Sequence, residues 1–87
     1  MPRYFFDLHN DIDALDPEGK ELPDLEAAKR EAFADARAMI QASVAEQGKI
    51  DLRHSIDVRD GSGNIVHTVR FEDAVTVSRG EQILSAP

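Results

Sequence analysis

The chain has 87 residues, 41% apolar and 31% charged, with no cysteine and no tryptophan. That length makes one domain, and the apolar share is too high for a disordered segment. Without cysteine there is no disulfide, no thiolate nucleophile and no Cys-type zinc or iron-sulfur site. The net charge of −7 is concentrated at the start: residues 1–26 carry eight acids against Arg3 and Lys20, whereas residues 27–48 balance at three against three. Such a field repels phosphate backbones, so no direct nucleic-acid binding is expected; a basic partner or a cation fits it better. We find no basic-then-apolar leader pattern and no run approaching the ~18 apolar residues of a membrane span, so the expectation is a cytoplasmic protein with no membrane contact.

Taken in chain order, the first element is a strand over 3–9. Tyr4, Phe6 and Leu8 alternate with Arg3, Phe5, Asp7 and His9, the period of a sheet with one buried face. Asn10-Asp11 reads as a turn, Ile12 to Leu15 as a short return strand, and Asp16-Pro17-Glu18-Gly19 as a second turn. Asp24, after Pro23, is placed to cap an Ala-rich helix over 25–47 that Gly48 terminates. Leu25, Ala28, Ala32, Phe33, Ala36, Met39, Ile40 and Val44 share its apolar stripe, so small alanines let the helix lie close on the sheet. At ~35 Å it outreaches strands of ~23 Å. Its last turns therefore need cover from the Ile50–Leu52 loop, the C-terminal tail or a second subunit.

His54–Asp60 and Ile65–Phe71 flank Gly61-Ser62-Gly63-Asn64, a hairpin signal. Glu72 to Val77 reads as a turn or short helix, and residues 78–87 as a tail. The fold class is α+β: a two-layer ββαββ domain over 1–77, an antiparallel sheet with one long helix on one face.

The runs Pro2-Arg3-Tyr4-Phe5-Phe6, Gly19-Lys20-Glu21-Leu22-Pro23-Asp24-Leu25-Glu26-Ala27-Ala28 and Ile56-Asp57-Val58-Arg59-Asp60 resemble a family of small bacterial proteins described only as a domain of unknown function. The resemblance implies a ββαββ fold and brings no activity with it. A more distant likeness, carried by Pro23-Asp24-Leu25 and the order of elements, is to antitoxins of the HicB type. That likeness implies a small basic toxin as partner.

Candidate sites are few. Asp11, Asp13, Asp16 and Glu18 suggest a hard-cation loop, but Leu15, Asp16 and Leu22 stand where an EF-hand needs an acid or Asn, a glycine and a glutamate. Asp7, His9, His54 and His67 lack any local metal-ligand spacing, and a solvated sheet face explains them as well. No serine lies in a nucleophile elbow, and Gly61-Ser62-Gly63 sits in a hairpin instead of before a helix, so we assign neither catalytic residues nor a cofactor. Phe5, pointing away from the core with Arg3, Val66 and Arg70, marks an interaction surface for a protein partner or a homodimer. The expected function is a non-catalytic interaction or self-associating module; a HicB-like antitoxin component is the alternative, and a metal-dependent enzyme a third reading.

Overall fold

The computed structural model of the chain describes residues 1–79. Its elements are β1 (Arg3–His9), β2 (Lys20–Glu21), α1 (Leu25–Gln47), β3 (Ser55–Arg59), β4 (Ile65–Arg70) and α2 (Phe71–Ala74). The strands form one antiparallel sheet in the order β2-β1-β3-β4, with α1 packed on one face. The expected tail lies outside the described residues from position 80 on.

Helix α1 begins and ends where its caps are. The Asp24 carboxylate accepts from the Ala27 amide at 2.8 Å, and Gly48, at φ 61°, sends its N–H back to the Val44 carbonyl. Ala28, Ala32, Ala36 and Ile40, each four residues from the last, form the buried line of the helix. They meet Tyr4, Ile56, Val58 and Val69 from the sheet and Phe71 and Ala74 from α2. Phe71 is buried as expected, but it opens α2 instead of ending β4. Of the bulky stripe residues, Leu25 and Phe33 pack partly against this core, whereas Met39 and Val44 are exposed. The overhang is thus seen among the described residues: Leu52 reaches the core, but Ile50 is half exposed and does not cover Val44 in the last turns of α1.

The segment between β1 and α1 differs from the expected return strand over Ile12–Leu15. Only Ala14 pairs, as a single bridge with Leu8, and the regular pairing falls later, at Arg3–Glu21 and Tyr4–Lys20. A ladder continuing from Leu8–Ala14 would place Glu18 opposite Tyr4, yet Lys20 stands there, so two extra residues leave the ladder. Pro17, with no N–H to give a ladder, lies in that excursion. The Asp16 side chain takes over what the missing backbone would do: its Oδ2 accepts from the Phe6 amide at 3.2 Å. Its Oδ1 accepts from Glu18 and Gly19, closing the expected Asp16–Gly19 turn.

A second irregularity lies in the β3–β4 pair, where Val58 faces His67 but Arg59 faces Ile65. Val66 is the extra residue of this bulge, and its side chain packs against the core.

We expect Ile56→Ala to lower unfolding free energy by about 2–5 kcal/mol, because the site is buried and closely walled. Ala32→Leu should cost about 1–3 kcal/mol through overpacking between helix and sheet. Urea unfolding followed by circular dichroism measures both.

Candidate functional site

The face of the sheet away from α1 carries Arg3, Phe5, Asp7 and His9 from β1, Ser55, Asp57 and Arg59 from β3, and Thr68 and Arg70 from β4, as the registers require. It is a charged face with one aromatic. Asp7 is nevertheless only 2% exposed. Arg59, on the neighbouring strand, donates to it from Nε at 2.5 Å and from Nη2 at 3.1 Å, and the Asp16 amide donates to Oδ1 at 2.9 Å. Arg59 Nη2 also reaches the Asp16 carbonyl at 3.4 Å. The excursion between Ala14 and Lys20 is thereby drawn over the face.

Desolvation pushes the Asp7 carboxyl up, but the Arg59 hydrogen bonds and the Asp16 amide together outweigh it and hold the group below the ordinary aspartate value. Asp16 follows the same pattern: desolvation raises it, and the amides of Gly19, Phe6 and Glu18 bring it below its ordinary value.

Phe5 lies under this cover. The Arg59 guanidinium stands 4.9 Å from its ring centroid, and a Cβ on Gly19 would sit 2.8 Å from a Phe5 ring carbon and 2.8 Å from the Tyr4 carbonyl. With φ at +69° as well, position 19 accepts only glycine without a shift of its neighbours. Phe5 is half-buried by its own chain for this reason.

Toward the other end of the face, His9 lies between two carboxylates. Nδ1 is 3.1 Å from Asp13 Oδ1 and Nε2 is 2.8 Å from Asp57 Oδ2, while the Thr68 hydroxyl donates to Asp57 Oδ1 at 2.6 Å. Both ring nitrogens face acceptors, so the arrangement is satisfied by the imidazolium. The Asp13 hydrogen bond is the main cause that raises the His9 pKa; desolvation opposes it, and Asp57 adds to the rise.

The residues singled out in the sequence are therefore divided. Arg3, Phe5 and Arg70 share the charged face, but Val66 packs on the core and does not join them. Arg3 is tied to the Glu18 carbonyl at 2.8 Å and to Glu21 at 3.5 Å. Asp13 and Asp16 are engaged by His9 and by backbone amides, while Asp11 and Glu18 are exposed. Among the described residues no group of three or more His, Asp or Glu side chains is arranged to hold a metal. Asp7 and His9 do not meet His54 or His67, since His67 stands opposite Val58 on the helix side and the His54 ring packs edge-on to Phe71 at 5.5 Å. Asp57, Arg59 and Thr68 complete the face beyond what the sequence singles out; the alternation of Asp57 and Arg59 along β3 is the signal for them.

Two concave regions lie elsewhere. One, about 510 Å³, runs from the end of β1 to the overhanging turns of α1, with Leu8, Ile12, Met39, Ile40 and Phe71 in its walls. The other, about 630 Å³ and shallower, lies between the outer side of α1 and β4, lined by Lys29, Arg30, Phe33, Arg37 and His67 among others. Arg37 stacks on the Phe33 ring at 4.3 Å and donates to the Ala74 carbonyl at 2.7 Å. No helix among the described residues is long and apolar enough to cross a membrane.

Fold and face together define a small two-layer α+β domain whose exposed sheet face is a closed network of charges. The chain belongs to the family described as Domain of unknown function (DUF6894), whose model matches residues 3–72. No curated protein and no solved structure matches the chain.

Two measurements check this site. Arg59→Leu, which strands a buried carboxylate, should destabilise the fold more than the double variant Asp7→Leu/Arg59→Leu, which removes both charges; chemical unfolding of the pair decides it. Because the folded-state pKa of His9 is raised, its contribution to stability is complete below the unfolded value and is lost as pH rises through the folded one. Asp13→Asn should lower the His9 midpoint seen by NMR titration.

Proposed function

We propose that the chain is a non-catalytic protein-interaction module that works by strand pairing at the outer edge of β4. The observation that carries this reading is that β4, six residues long, pairs only with β3 among the described residues. The Phe71 amide bonds to the His54 carbonyl at 2.9 Å, and antiparallel pairing alternates, so Val69 shares this inward set while the backbone groups of Thr68 and Arg70 point outward. Among the described residues this edge is open except at the Arg70 carbonyl, which takes the first bond of α2, and such an edge is a template for another strand. The acidic and histidine side chains that acid-base chemistry would call on are engaged in the fold: Asp7 by Arg59 and the Asp16 amide, His9 by Asp13 and Asp57.

Arg70 is suited to a test because its φ of −87° and ψ of 141° are close to those of proline. Arg70→Pro removes one outward N–H and leaves the β3 ladder intact. Capture from the native cell, read by mass spectrometry, should lose its specific partner with Arg70→Pro and keep it with Arg70→Ala; equal capture by both overturns the reading.

A second reading has one observation in its favour. Ile12 and Leu15 are 81% and 68% exposed, between Asp11, Asp13 and Glu18. Two apolar side chains in an acidic loop suit a small basic protein, the partner implied by the HicB-type likeness. Under that reading Ile12→Ser abolishes capture and Arg70→Pro does not.

A further inference from the structure

We infer that the occupant of the β4 edge is the β4 edge of a second copy of this chain, paired antiparallel about a two-fold axis so that Thr68 of each copy lies opposite Arg70 of the other. This rests on the strand-pairing function proposed above and names its partner.

Charge is the first reason. A chain of net charge −7 repels its own kind over most of its surface, and the repulsion is concentrated in residues 1–26. The β4 edge lies across the sheet from that segment, with β1 and β3 between it and β2. The helix flanking the edge is the balanced part of the sequence, three acids and three bases over 27–48. Like copies therefore meet with least repulsion along this side.

Self-complementarity is the second. Antiparallel pairing of one edge with itself is isologous, so each outward group met on one copy is answered by the same set on the other. With Val69 on the axis, the Arg70 N–H of each copy donates to the Thr68 C=O of the other; the Arg70 C=O, as the N-cap carbonyl of α2, already takes the first helical bond. Arg70 would be the obstacle to such a pairing, but each copy neutralises its own: Nη1 lies 3.1 Å from Glu72 and Nε 3.1 Å from Asp73. This register also keeps the two arginines from standing directly opposite each other.

The third reason lies on the helix side. The shallow groove beside β4 carries a half-buried Phe33 with Lys29, Arg30 and Glu26 around it. Two such grooves face one another across the axis, which places aromatic area against aromatic area and lets Glu26 of one copy approach the bases of the other. The bulge at Val66 twists the start of β4 and confines the pairing to its second half, so a single closed dimer forms instead of an extended sheet.

Light scattering after gel filtration, on the full chain across micromolar to millimolar concentration, tests the proposal. The expected mass is about twice 9.6 kDa, falling to one chain mass for Arg70→Pro and remaining doubled for Arg70→Ala. Amide spectra of Arg70→Pro establish that it is folded, and a Phe33→Ser variant, which leaves the backbone edge unaltered, should weaken the dimer at least tenfold. A monomeric wild type at every concentration overturns the proposal, and so does a dimer indifferent to Arg70→Pro. A monomer that still captures a different protein through an Arg70→Pro-sensitive contact removes the second copy and leaves the strand-pairing function standing. Loss of both removes the two together.

Discussion

A carboxylate that is almost wholly excluded from water must be matched, and the match at Asp7 organises the side of the sheet that the helix leaves bare. Burying an unpaired charge is prohibitive, while a paired one is tolerated when every lone pair is answered. Asp7 obtains two donors from Arg59 and one from the Asp16 amide, so a strand 52 positions away and the loop after β1 are both obliged to come to it. The ion pair contributes specificity of arrangement more than net stability, since an apolar pair of similar volume could replace it. It fits the register in which Phe6 and Leu8 lie beside Val58 and Ile56, and it ties the excursion over Phe5.

That constraint changes which surfaces are left to work with. An antiparallel sheet covered on one face by a helix ordinarily offers its other face to solvent or to a partner. Here the loop and the charge network occupy much of it: Phe5 is enclosed by Gly19 and Arg59, and His9 by Asp13 and Asp57. What stays available among the described residues is the outer edge of β4, where the Thr68 backbone and the Arg70 N–H face away from β3, and the overhanging end of α1, where Met39, Val44 and Ile50 are exposed. The edge offers directional hydrogen bonds and a defined register, and the overhang only apolar area. The edge is therefore the more specific of the two.

Much of this architecture was legible in the sequence because it follows from local chemistry. The alternation of Tyr4, Phe6 and Leu8, the Asp24 cap with the Ala-rich run, the Gly48 stop and the Gly/Asn hairpin each report their own element without knowledge of the rest. What escaped was non-local. Asp7 sits on the strand face that alternation assigns to solvent, and nothing within β1 shows that Arg59 will lie beside it. Ile12 to Leu15 has strand composition, yet the Asp16 side chain accepts from the Phe6 amide and lets the backbone bow outward. Alternation alone places Val66 on the open face, and the bulged residue reverses that alternation. Pairing β1 with β3 by charge, Asp7 and His9 against Asp57 and Arg59, would have recovered most of the site.

The role of Asp7 is open to direct observation by carboxyl-detected NMR titration of the intact chain. If Arg59 and the Asp16 amide hold it as described, its carboxyl titrates below the ordinary aspartate value, the Asp16 amide resonance moves with the same midpoint, and the stability that it contributes is lost as pH falls through that midpoint. A carboxyl that titrates at or above the ordinary value, with the Asp16 amide unmoved, would contradict the ion pair as the constraint on this fold.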